Sequence, residues 1–189
     1  MLYINDHIDN FDLEKGLAQV SPERREYALR YRKRHDQCLC VAAYMLLREG
    51  LAKEYGITDM PVFTYGHHGK PQLLGHPDIH FNISHCDEAA ACIISDHPVG
   101  IDVESIKPFD PDLAAETMNE KEIRDILSSP NPSISFTRLW TMKESLLKLT
   151  GEGITNNLHN LLNDSSNFIF TTQEFISKHF VLTICEMKK

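Results

Sequence analysis

Two carboxylates alternate with apolar residues in Val99-Gly100-Ile101-Asp102-Val103-Glu104. If this run is a strand, Asp102 and Glu104 share one face about 6 to 7 Å apart, and Val99, Ile101 and Val103 share the other. Carboxylates held so close repel one another unless a cation lies between them. Hard oxygen donors of this kind suit Mg²⁺, which keeps several waters and completes its shell with phosphate oxygens. The same pattern also fits an edge strand whose polar face meets water.

A second group sits in Phe136-Thr137-Arg138-Leu139-Trp140-Thr141-Met142-Lys143-Glu144-Ser145-Leu146-Leu147-Lys148. On a helix Phe136, Trp140, Lys143 and Leu147 fall on one side, with Thr137, Thr141, Glu144 and Lys148 on the neighbouring side. Lys143 therefore lies along an apolar stripe, where its ammonium must either reach out to water or meet an anion. Glu144 and Lys148, four residues apart, equally fit an exposed ion pair. Ser84-His85 offers a hydroxyl, an imidazole and the loop amides beyond to an anion, or else a satisfied structural histidine. Lys70, in the turn Gly69-Lys70-Pro71, either reaches a phosphate or is solvated. His76, His80, His85 and Cys86 match no common zinc spacing.

These groups need elements to hold them. Ser21 as N-cap with Pro22 in the first turn opens a helix expected to run to about Tyr55 and to stop at Gly56. Its first half carries Arg24, Arg25, Arg30, Arg32, Lys33 and Arg34 against Glu23 and Glu26; its second half is apolar. Residues 61–77 are rich in turn formers. Three strands are expected next, around Ile79 to Ile83, over Ala90 to Ser95 and over Val99 to Glu104, the last two joined as a hairpin through Asp96-His97-Pro98. A helix is expected from Pro111 to about Ser128 and another from Ser133 or Ser135 to Thr150, ended by Gly151. Strands at Phe168 to Thr172 and Phe180 to Cys185 follow. Strands in runs, without regular βαβ alternation, predict an α+β protein with mainly antiparallel sheet.

The 189 residues are 42% apolar and 24% charged, an ordinary globular composition that argues against disorder. With 27 acidic and 19 basic side chains the formal charge is −8, which argues against a general nucleic-acid surface. The apolar run Cys38 to Leu47 is half of what a membrane span requires. The first eleven residues lack a basic n-region, so no secretory signal is expected, and five cysteines without a CxxC pair suit a reducing, cytoplasmic location.

Taken in order, Phe81-Asn82-Ile83-Ser84-His85, then Val99-Gly100-Ile101-Asp102-Val103-Glu104, then Trp140-Thr141-Met142-Lys143-Glu144-Ser145-Leu146-Leu147-Lys148 ending in Gly151-Glu152-Gly153-Ile154, resemble the signature of the Sfp-type 4′-phosphopantetheinyl transferases. The Ser21-Pro22-Glu23-Arg24-Arg25 start and Gly69-Lys70-Pro71 match as well, so the resemblance spans roughly residues 20–154. It implies a pseudo-twofold monomer of two similar lobes, 1–100 and 101–189, each a small antiparallel sheet on a long helix, with coenzyme A between them. It implies Mg²⁺ on Asp102, Glu104, Glu144 and the coenzyme A pyrophosphate. Arg24, Lys70, Ser84, His85 and Lys148 would contact coenzyme A phosphates, and Lys143 is counted with them. Tyr27 and Cys40 depart from the family pattern and leave the adenosine and 3′-phosphate contacts open, with Arg30, Arg34 or His35 as substitutes. His67 and His68 receive no task.

The reaction so implied moves phosphopantetheine from coenzyme A to a serine hydroxyl of an acyl or peptidyl carrier protein and releases 3′,5′-ADP. Glu144, directly or through a water on the metal, is the candidate base, and Lys148 and Mg²⁺ would stabilise charge. The carrier protein could serve fatty-acid, polyketide or nonribosomal-peptide synthesis. Two other functions share these residues: a metal-dependent nucleotide phosphohydrolase, and a relative that binds coenzyme A or a carrier protein without catalysis.

Overall fold

A computed structural model describes residues 1–66, 68–153 and 158–188. The first half opens with β1 (Leu2–Asn5), the short α1 (Leu13–Leu17), α2 (Pro22–Leu29) and the 22-residue α3 (Arg34–Tyr55). A small hairpin follows, β2 (Phe63–Tyr65) with β3 (Pro71–Leu73), and then β4 (His80–His85) and β5 (Ala90–Ser95). The second half contains β6 (Val99–Ser105), α4 (Pro111–Thr117), α5 (Glu120–Ser128), α6 (Pro132–Thr150), β7 (Phe168–Phe175) and β8 (Phe180–Met187).

The two halves share a connectivity. One three-stranded antiparallel sheet runs β1-β5-β4 and another runs β6-β8-β7, so each places its third strand between the first two. A long helix is inserted after the first strand in each. Alternate residues of β5 explain how the sheets stack: Ala90, Cys92 and Ile94 pack with the apolar middle of α3, while Ala91 and Ile93 pack with Val99, Ile101 and Val103 of β6 and Leu182 of β8. The opposite face of the second sheet carries α6, whose Leu146 and Leu149 bury against Cys185, Phe168 and Phe170.

Three expectations from the sequence need correction. The basic helix is two helices: α2 ends at its C-cap Arg30, Lys33 is extended at ψ 135°, and Gln37 Nε2 bonds the Tyr31 carbonyl at 2.8 Å. A continuous helix would stack Arg30 on Arg34 one turn apart, and like charges at that spacing are unfavourable. The expected helix from Pro111 is likewise divided: Asn119 accepts from the Glu122 amide while Glu122 Oε2 accepts from the Asn119 amide, a reciprocal cap that starts a new helix. Finally, β5 and β6 are not a hairpin. Both edges of β5 are taken, by β1 and β4, so the chain crosses through Asp96-His97-Pro98 into the other sheet. His97, bonded to Asp96 and to Glu186 of β8 at 2.6 and 2.9 Å, fixes that crossing.

α6 begins at the Asn131 cap and ends at Gly151, which adopts a left-handed conformation at φ 73°, as expected of a C-terminal glycine. Gly100 sets its distance from β6. A Cβ at Gly100 would stand 2.0 Å from the Ser145 carbonyl oxygen and 2.6 Å from the Leu149 amide nitrogen. Backbone cannot yield as a flexible side chain can, so Gly100→Ala is expected to push α6 off β6 and destabilise the protein by about 3 kcal/mol. Urea unfolding checks this; a midpoint equal to that of the unaltered protein contradicts the close approach.

Candidate active site

β4 and β6 run side by side in the same direction, and side chains of β4 take the place of a backbone ladder. The Ile101 amide donates to Asn82 Oδ1 at 3.0 Å and the Val103 amide to Ser84 Oγ at 3.3 Å. Ser84 in turn donates to Asp102 Oδ1 at 2.9 Å and accepts from Lys148 Nζ at 2.8 Å. The hydroxyl thus uses its one proton and both lone pairs. Lys148 also bonds Asp102 Oδ1 at 2.6 Å, so strand β4, strand β6 and helix α6 meet at one serine, one aspartate and one lysine.

Asp102 is 2% exposed, with its Oδ2 buried and unpartnered, and Glu144 Oε1 is buried and unpartnered likewise. Glu104, two residues along β6, accepts from Trp140 Nε1 at 3.3 Å. Burial and then the neighbouring Asp102 push the Glu104 carboxyl up to about 7, against the pull of Trp140 and Lys148. Glu144 is raised by the same two causes. Burial and the Lys148 ammonium hold the His85 imidazole below its ordinary range, although one side of the residue is open to solvent.

The two sequence groups therefore converge, with Asp102, Glu104, Ser84, Glu144 and Lys148 in one place. As they stand, no three Asp, Glu, His or Cys side chains among the described residues are close enough to hold an ion, and Lys148 occupies one Asp102 oxygen. Of the two readings of Glu144 and Lys148, the exposed ion pair is not the one found, since Lys148 pairs with Asp102. Two orphaned buried carboxylate oxygens and two carboxyls driven toward protonation nevertheless suit a divalent cation, which would satisfy the former and reverse the latter.

A cavity of about 280 Å³ opens beside them, with Pro71, Ile83 and Leu147 as apolar wall and Lys70, Glu144 and Lys148 as polar residues. His68 lines it too, while His67 and Ile154 lie outside the described residues. Lys70 reaches it from the hairpin turn: its Nζ donates to the Leu149 carbonyl at 2.9 Å, at the negative end of α6, and burial lowers its affinity for a proton. Arg24 is placed differently. It lies 4.9 Å from the Tyr44 ring and 5.4 Å from that of Tyr27, lining a separate cavity with Arg30, Phe63 and Tyr65.

Lys143 does not contact the cleft, which corrects the expectation that it binds coenzyme A. It is fully buried, and its ammonium gives all three protons to Glu122, the Thr117 carbonyl and the Leu158 carbonyl at 2.7, 2.8 and 2.7 Å. It meets an anion, as a lysine on an apolar stripe must, but the anion is the helix-capping Glu122. The Asn-x-x-Glu spacing was the available signal. Ser84 as a junction between Lys148 and Asp102, and Trp140 as a donor to Glu104, had no sequence signal, since each partner lies on a different element.

Comparison with known proteins now bears on this geometry. Residues 98–185 match the model of the 4′-phosphopantetheinyl transferase superfamily. A 4′-phosphopantetheinyl transferase of Bacillus subtilis is 32% identical over 157 residues, covering 82% of this chain and 70% of the relative. The psf-1 enzyme of Bacillus pumilus is 34% identical over 158 residues, with coverages of 80% and 68%. The chain belongs to this superfamily. The transferase Sfp of Bacillus subtilis strain 168 is similar as well, 29% identical over 157 residues with coverages of 82% and 70%, so the relationship is to the Sfp-type transferases. The matched span contains β6, α6 and most of β8, and hence the carboxylates and lysine just described.

Two outcomes follow. In the folded protein burial and Asp102 raise the Glu104 carboxyl to about 7, whereas a free glutamate side chain titrates near 4.5. Between those values the folded state binds the extra proton, so stability without metal falls as pH rises through the window. Glu104→Gln should flatten that slope in urea unfolding; equal slopes for the two proteins contradict it. Lys143→Ala leaves Glu122 buried and uncompensated and should cost about 3 to 5 kcal/mol, whereas Lys143→Met paired with Glu122→Gln should cost much less. Equal losses for the two would show that charge pairing is not what matters there.

Proposed function

We propose that this chain transfers the 4′-phosphopantetheine group of coenzyme A to a serine hydroxyl of an acyl or peptidyl carrier protein, with Mg²⁺, releasing adenosine 3′,5′-bisphosphate. Membership of the transferase superfamily supports the reaction class. The observation that carries the mechanism is the Asp102–Lys148 pair, with Glu104 and Glu144 near enough to feel both charges and two buried carboxylate oxygens left unpartnered. Asp102, Glu104 and Glu144 would hold the ion, which when bound supplies positive charge to the pyrophosphate oxygens.

The residues divide the remaining work. The cavity beside Pro71, Ile83 and Leu147 has apolar walls suited to a planar base, with Lys148 and Lys70 at its polar side for phosphates. Ser84 and His85 border Lys148 from β4. The acceptor serine oxygen attacks the phosphorus that carries pantetheine; the bond from that phosphorus to the bridging oxygen breaks, and the nucleotide departs with the electron pair. Glu144 would take the serine proton, although burial and Asp102 raise its proton affinity only in the metal-free site and an ion held there would lower it again. Lys148 donates to the phosphate oxygens as they gain charge, which is where most of the rate enhancement in phosphoryl transfer arises. Arg24, in its own cavity with Arg30, is read as a contact for the far phosphate of coenzyme A.

We also read the halves as two lobes, 1–100 and 101–189, related by a pseudo-twofold axis; the shared strand order supports this. Five buried, unpaired thiols accord with a cytoplasmic location, and no helix among the described residues is long and apolar enough to cross a membrane.

The test is intact-mass measurement of an apo carrier protein incubated with this chain, coenzyme A and Mg²⁺. The carrier should gain one phosphopantetheine. Asp102→Ala and Glu144→Ala should remain folded and lose transfer, Lys148→Ala should mainly lower kcat, and Lys70→Ala should mainly raise KM for coenzyme A. Phosphopantetheine or phosphate released without a modified carrier would indicate hydrolysis instead, and full transfer by both carboxylate variants would contradict the site.

A further inference from the structure

Lys143 and Lys148 stand on the same helix, α6, and are held in opposite ways. Lys143 is fully buried and gives its protons to Glu122 and to two carbonyls, so it cannot leave without stranding that carboxylate. Lys148 bonds Asp102 Oδ1 at 2.6 Å and Ser84 Oγ at 2.8 Å, yet its side chain is 30% exposed where it lines the cavity of about 280 Å³. Its flexible stem can swing into that cavity without opening the core. Asp102 has no such freedom. β6 is paired with β8 along one edge, where Asp102 faces Thr183, and along the other its Ile101 and Val103 amides are bonded by Asn82 and Ser84. Of the two partners the lysine is the one that can move.

The place the ammonium takes is a ligand's place. Asp102 Oδ1 accepts from both Lys148 and Ser84, which uses both of its lone pairs. Asp102 Oδ2 and Glu144 Oε1 are buried and find no donor, and no three acidic, imidazole or thiol groups among the described residues stand close enough to hold an ion. A cation seeking Asp102 would meet the ammonium already bonded there, and two cations on one carboxylate repel each other. A phosphate group in the cavity changes the balance, because it offers Lys148 a charged acceptor of its own. Once the ammonium turns to that anion, Asp102 Oδ1 is released.

We propose that Lys148 gates the metal position: its ammonium holds Asp102 in place of Mg²⁺ and yields it only when the pyrophosphate of coenzyme A draws the side chain into the cavity. This rests on the ligand assignment proposed above. Metal and cofactor then bind as one coupled event, each strengthening the other by the same factor. A divalent cation alone gains little, so the carboxylates do not load with stray ions between turnovers.

The test follows Mg²⁺ binding through the fluorescence of Trp140, the single tryptophan of the chain, whose indole donates to Glu104 at 3.3 Å and so reports on this site. The unaltered protein is compared with Lys148→Met, Lys148→Gln and Lys148→Arg, each titrated with Mg²⁺ alone and with coenzyme A present. Without coenzyme A both neutral variants should bind Mg²⁺ about tenfold more tightly than the unaltered protein, whereas Lys148→Arg, which keeps a cation there, should not. The strengthening by coenzyme A should shrink by a similar factor in the neutral variants. If Lys148→Met fails to fold with Asp102 left unpaired, Lys148→Gln, which keeps a hydrogen-bond donor, carries the comparison. Equal or weaker Mg²⁺ affinity in the neutral variants, or equal strengthening by coenzyme A in all four proteins, overturns the proposal. The expected pattern supports the gate even if no carrier protein is modified, an outcome that would overturn only the reaction. Absence of Mg²⁺ binding in all four, with and without coenzyme A, overturns the ligand assignment and the gate together.

Discussion

Among the described residues one ammonium, that of Lys148, bonds into a site bordered by three carboxylates, and the rest of the site is arranged around this shortage of positive charge. Asp102 is held by Lys148 and Ser84 through a single oxygen. Its other oxygen and one of Glu144 find no donor, and Glu104 and Glu144 are pushed toward their neutral forms. A site made only for stability would not leave such groups buried, since each unpaired polar atom costs free energy. The arrangement makes sense if the balance is completed from solution, by a divalent cation together with phosphate.

That electrostatic state depends on a packing constraint. Gly100 lets the backbone of α6 lie directly on β6, which brings Glu144 and Lys148 to the face that carries Asp102 and Glu104. Along the other edge of β6, Asn82 and Ser84 bond its amides, so the two sheets are locked together at the strand that bears the carboxylates. Farther along α6, Lys143 and Glu122 tie the helix to α4, α5 and the segment at Leu158. Transition-state charge can be met without reorganisation only if the donors are fixed beforehand, and these three attachments fix them.

Much of this was legible in the sequence, and the limits were physical. Alternation placed Asp102 and Glu104 on one face and Ile101 and Val103 in the core; the caps at Ser21, Gly56 and Gly151 marked helix ends where they occur. The spacing of Glu144 and Lys148 placed both on one side of α6, but it could not tell that Lys148 would choose Asp102 over its own helix neighbour. That choice is made across 46 residues. Long apolar or basic runs concealed the breaks at Arg30 to Lys33 and at Asn119, because local propensity continues where side-chain caps and repulsion do not allow it. The hairpin expected through Asp96-His97-Pro98 failed because strand pairing is decided by which edges are already taken, and β1 had claimed one edge of β5.

The most direct measurement of the central claim is calorimetric titration of Mg²⁺ into the protein with coenzyme A, near neutral pH, in two buffers of different ionisation enthalpy. If Glu104 and Glu144 share a proton-rich site that a cation completes, binding should release protons, and the observed heat should differ between buffers in proportion; Glu104→Gln should reduce the release. Binding with no proton release, or no saturable Mg²⁺ binding in the presence of coenzyme A, would contradict the account.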